Sequence, residues 1–138
     1  MAFKMNQISC DLASYPYYML LSPRKFGKTT WWRNLVPAAW GDASKGLLIS
    51  CGTESGFHHL DNLQVEEALT WDDDYDEETG HRGLVQIVDD LIENNAEYGI
   101  KGVCFDTFDT LFDIATDEVM RESRRETGNH RGTEQIQH

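Results

Sequence analysis

Of the residues that cross-link or stiffen a chain there are few: three cysteines and three prolines in 138 residues. Cys10, Cys51 and Cys104 form no C-x-x-C pair, and the last two lie inside apolar runs. They read as buried thiols in a reducing compartment rather than as a disulfide framework or a zinc site. No apolar run approaches the ~20 residues needed to span a bilayer, and Met1 to Asp11 lacks the apolar core of a secretion signal. The expectation is a cytoplasmic protein with no membrane association. Cations are scarce as well, with Lys+Arg 12 against Asp+Glu 24 and a formal net charge of -12. Such a surface repels nucleic acid overall, so any DNA contact would need a local basic patch or another subunit. The length allows one domain at most.

What is present is organised around one stretch. The apolar run Tyr17-Tyr18-Met19-Leu20-Leu21 is cut off by Ser22-Pro23-Arg24-Lys25-Phe26, and Gly27-Lys28-Thr29-Thr30 then opens a helical pattern. Strand, loop and helix in that order make a phosphate cradle, because a loop of inward-pointing N–H groups ending at a helix N-terminus suits dense negative charge. Gly27 lets the backbone come close, Lys28 brings a mobile point charge, and the Thr29 hydroxyl can ligate a Mg²⁺ ion carried by the phosphates. The pattern G-x-x-x-x-G-K-[ST] is met with one departure, Ser22 in place of the first glycine, which affects the turn leaving the strand.

Along the chain, Ile8, Cys10 and Leu12 alternate as in a short edge strand, and Tyr17 to Leu21 reads as a buried strand. The helix from about Gly27 carries Trp31, Trp32, Leu35 and Val36 and is expected to end at Pro37. The paired tryptophans read as packing rather than as a base-stacking platform. A turn over Gly41 to Lys45 precedes a second apolar strand, Gly46 to Cys51. That strand runs into Gly52-Thr53-Glu54-Ser55-Gly56, where Glu54 is either a candidate to orient and deprotonate a water or a solvated loop acid. His58 and His59 read as a surface pair, and Gln64 to Trp71 as holding a short strand. The acidic run from Asp72 to Glu78 lacks the glycine and terminal Glu of a calcium loop and reads as a solvated linker. Leu84, Ile87, Val88, Leu91 and Ile92 repeat at helical spacing, with Gly99 as the stop.

The strand Ile100 to Asp106 then ends in an acid. Beside a phosphate loop, such a carboxylate can hold Mg²⁺ directly or through water. Thr107 can position a water or cap a helix, and a helix is expected near Thr110, with Asp113 as a weak capping-box partner and Leu111, Ile114, Ala115, Val119 and Met120 on its buried face. Arg121, Arg124, Arg125 and Arg131 read as a solvated helix end followed by a polar, disordered tail over 127–138.

These motifs carry a resemblance. Residues Phe3 to Thr127 resemble the N-terminal half of the RecA-like P-loop ATPase core, and most of all the small phage-encoded ATP-binding proteins of single-strand annealing and recombination, often called AAA-family ATPases. The matching residues are the Walker A loop from Ser22 to Thr29, the Walker B strand from Val103 to Asp106, and Glu54 after the intervening strand. The resemblance implies an α/β fold, a three-layer α/β/α P-loop NTPase with a mainly parallel sheet over 1–126, incomplete as a RecA-like core. It implies ATP and Mg²⁺ as cofactors, with Ser22, Pro23, Arg24, Lys25, Phe26, Gly27, Lys28, Thr29 and Thr30 around the nucleotide. Thr29 and Asp106 are then the metal ligands, Lys28 a catalytic cation and Glu54 the general base.

In RecA-like cores the strand after Walker B inserts between the two Walker strands, and no apolar strand follows Arg125. Either the chain is a fragment or truncated form, or its Walker strands pair directly as in kinase-type P-loop folds. A sheet lacking its centre leaves backbone groups unpaired, so the expectation is poor solubility, a homo-oligomer or dependence on a partner. The functional expectation is a Mg²⁺-dependent ATPase module of phage DNA recombination or replication, contacting single-stranded DNA through an assembly. The alternatives are a nucleotide or small-molecule kinase and a non-catalytic nucleotide-sensing module.

Overall fold

The computed structural model describes residues 17–23, 26–52, 57 and 60–136, with side chains as far as 128. Its centre is β1 (Gly46–Cys51), an apolar hexapeptide buried along its whole length. β2 (Val65–Ala68) and β3 (Gly102–Asp106) flank it in the order β2-β1-β3. Both pairings are parallel, with Leu48 opposite Val65 and Ser50 opposite Asp106. A parallel sheet needs crossovers, and α2 (Leu84–Tyr98) supplies the one from β2 to β3.

Helices cover both faces of the sheet, which is why β1 is apolar without alternation. On one face Leu47, Ile49 and Cys51 pack with Leu84 and Ile87 of α2 and with Ile114 of α3 (Phe108–Ile136). On the other, Leu48 packs with Trp32 and Val36 of α1 (Lys28–Trp40) and with Phe57. The molecule is therefore an α/β protein with a three-stranded parallel sheet between helical layers. Among the described residues, no helix is long and apolar enough to cross a membrane.

The expected strands at Gly46–Cys51, within Gln64–Trp71 and within Ile100–Asp106 are all present, and α2 stops at a left-handed Gly99, φ 69°. Four expectations need correction. Tyr17–Leu21 forms no strand and is not buried; Tyr17 is 90% and Leu21 85% exposed. α1 runs through Pro37 to Trp40 and ends at left-handed Gly41, whose N–H donates to the Pro37 carbonyl. Tertiary packing outweighs the proline there, because Trp40 meets Trp32 edge-on, ring centres 6.2 Å apart. Trp40 also lies so close over Gly102 that a Cβ at that position would collide with its ring.

The other two corrections concern α3. It begins at Phe108, two residues before Thr110 and so near the expected start, with Thr107 and Thr110 exchanging hydrogen bonds there, but it runs on to Ile136, over most of the stretch read as a tail. Val119 and Met120 are exposed rather than buried: β3 is the sheet's edge among the described residues, and none of these covers those side chains.

Candidate phosphate and metal site

Gly27 precedes α1 in the left-handed region, φ 85°, a conformation that glycine adopts without a Cβ penalty. No side chain caps the helix there. The first-turn N–H groups, which have no partner within a helix, and the positive end of the helix dipole suit an anion at this position. Lys28 is half-buried at the same end, and its Nζ donates to the Ser22 carbonyl over 2.9 Å.

The decisive contact crosses 77 positions of sequence: the Thr29 hydroxyl donates to Asp106 Oδ2 over 3.0 Å. Two elements bring it about. α1 lies across the face of the sheet that carries Leu48 and Cys104, and Asp106 ends β3 on that same face, two positions after Cys104. Its register partner Ser50 is 2% exposed, a buried polar residue at the end of an otherwise apolar strand. Sequence reading passed over Ser50; its signal is the one hydroxyl within Leu47-Leu48-Ile49-Ser50-Cys51.

The carboxylate has an electrostatic signature in its neighbours. Burial, reinforced by the Asp106 charge, pushes the Cys51 thiol up to about 11. Burial together with Asp106 and Cys51 pushes Cys104 up to about 12. Both cysteines are free thiols, and their burial disfavours the thiolate.

Of the other residues assigned to the loop, Phe26 is 74% exposed, Pro23 and Thr30 are exposed and Ser22 is half-buried. Arg24, Lys25 and Glu54, with His58 and His59, lie outside the described residues. The structure thus gathers Ser22, Lys28, Thr29 and Asp106 at one end of the sheet. The donor set of a hydroxyl and a carboxylate is hard oxygen, which fits Mg²⁺ with phosphate and water completing its shell. The Asp106–Thr107 peptide is cis, and Thr107 turns the chain directly into α3. Comparison of the chain with protein-family models, with curated proteins and with solved structures gives no match.

Proposed function

We propose that the chain binds a nucleoside triphosphate, ATP by the resemblance of its motifs, together with Mg²⁺, as a P-loop ATPase module. The observation that carries this is the Thr29–Asp106 hydrogen bond beside Lys28 and an uncapped helix N-terminus. A surface Gly-Lys-Thr met by chance has no reason to sit against a strand-ending acid 77 positions away.

Each residue has a part that its present bonding allows. The Thr29 O–H donates to Asp106, which leaves the oxygen's lone pairs free to meet a metal. Lys28 exchanges the Ser22 carbonyl for a phosphate oxygen, replacing a neutral acceptor by a charged one. The first-turn N–H groups of α1 hold a second oxygen. When bound, Mg²⁺ supplies charge neutralisation across the β- and γ-phosphates. Hydrolysis is assigned to Glu54 as the residue that orients the attacking water, and a role in phage recombination belongs to the same proposal, on the resemblance alone.

Titration calorimetry with Mg·ATP tests the reading. Removing one charge-assisted contact in Lys28→Ala is expected to weaken binding by about 10- to 150-fold. Unchanged affinity would dismiss the phosphate site.

A further inference from the structure

The start of α3 is bonded more heavily than a helix cap requires. A cap needs one contact, from a first-turn N–H to the Thr107 hydroxyl, and the Thr110 N–H makes it at 3.4 Å, the longest of the bonds between the two threonines. The shorter ones all end on the Thr110 hydroxyl. It donates to the Thr107 carbonyl over 2.9 Å and accepts from the Thr107 N–H over 3.1 Å. With its own proton so committed, it accepts that of the Thr107 hydroxyl as well, over 3.0 Å. A hydroxyl has one donor and two acceptor positions, and Thr110 gives all three to one residue.

The same side chain is seated from its other side. Gly52 leaves the end of β1 in the left-handed region, φ 78°, and its N–H donates to the Ala68 carbonyl of β2 over 2.9 Å. A Cβ at Gly52 would stand 3.1 Å from Thr110 Cβ and 3.3 Å from Cγ2, so the threonine lies against bare backbone that is itself anchored in the sheet. Branching at Cβ restricts χ1, and this seat narrows the choice further. The direction of the hydroxyl is set by the methyl beside it.

What Thr110 holds is the neighbour of Asp106. The Thr107 N–H belongs to the peptide plane that begins at Asp106, so fixing it fixes the backbone from which the carboxylate reaches Thr29. We propose that Thr110 is a positioning residue for the metal ligand Asp106, locking the end of β3 so that the carboxylate and the Thr29 hydroxyl meet one Mg²⁺ ion. This rests on the nucleotide reading above. A ligand is only as well placed as the shell behind it, and residues in that shell commonly govern metal affinity.

Calorimetry of ATP binding to the full chain, in Mg²⁺ and again in EDTA, separates this role from a structural one. Thr110→Val deletes the hydroxyl at nearly constant shape. The gain in ATP affinity on adding Mg²⁺ is expected to fall about 10-fold in that variant. Affinity in EDTA is expected to stay at the wild-type value, because Lys28 and the start of α1 are unaltered. Thr110→Ser restores the hydroxyl and should recover most of the Mg²⁺ gain. Thr110→Ala removes the hydroxyl without the added methyl and reads the same loss if the valine variant does not fold. A full Mg²⁺ gain in the variants lacking the hydroxyl overturns the role, and so does a serine variant as deficient as they are. Equal weakening with and without Mg²⁺ assigns Thr110 to the fold alone and also overturns it. These three outcomes leave the nucleotide reading standing. A wild-type chain whose ATP affinity ignores Mg²⁺ removes the metal and this role together, and one that binds no ATP removes the nucleotide reading as well.

Discussion

The two flanks of β1 are built differently. On the β2 side, α2 and the loop before it are tied down by polar contacts: Arg82 reaches Asp90 at 2.7 Å and Glu66 at 3.5 Å, and His81 meets Glu67 at 2.6 Å. Asn95 closes the α2 exit by bonding both the carbonyl and the N–H of Ile100. On the β3 side, Val103, Phe105, Phe108, Phe112, Val119 and Met120 are all exposed, and Ile114 is the one buried residue among the described part of α3. The candidate site sits on this second flank. Polar ties are concentrated on one side and the proposed phosphate site lies on the other.

Truncation scanning is the strongest way to break that contrast. Ile87, fully buried between α2 and β1, is expected to cost about 2–5 kcal/mol as Ile87→Ala. Phe112→Ala, on the exposed stripe of α3, is expected to stay within about 0.5 kcal/mol despite deleting a larger side chain. Denaturant midpoints measure both, and equal losses would abolish the distinction between the flanks.

Arg82→Ala comes next. It leaves half-buried Asp90 and Glu66 without their cation and should cost about 1 kcal/mol after solvent screening. A loss near zero would reduce the β2-side network to surface decoration.

The smallest effect is in pH. Asp90 is held below its ordinary value of 3.8, first by the Asn94 amide and then by Arg82. A carboxylate whose folded value is depressed contributes stability above the ordinary value and loses it as the pH falls through the folded one. Asp90→Asn should therefore lower stability at neutral pH, where the carboxylate contributes, and flatten the acid limb of the profile below pH 3.8, where the native chain loses that contribution. An identical acid limb in the variant would remove Asp90 from the account.

Most of the sheet was legible because its signals are local. Gly46-Leu47-Leu48-Ile49-Ser50-Cys51 is apolar without interruption, and the Leu84, Ile87, Val88, Leu91 pattern ends at a glycine that must be left-handed. The pairing of Thr29 with Asp106 was legible only as motif order, since nothing in either segment states that they touch. The errors are tertiary in origin. Pro37 was read as a stop, yet the packing of Trp40 on Trp32 and Gly102 carries the helix past it. Val119 and Met120 were read as buried because periodicity reports a face without reporting whether anything lies opposite. Tyr17–Leu21 has the composition of an interior strand and no neighbour in the sheet, which composition alone cannot foresee.

α3 starts two residues beyond Asp106 and continues for 29 residues, about 43 Å at 1.5 Å per residue. A rod rooted that near a carboxylate has its base beside Asp106. A rotation of about 5° at Thr107 displaces the far tip of such a rod by about 4 Å. Small adjustments of one oxygen atom would thus be legible at the opposite end of the molecule.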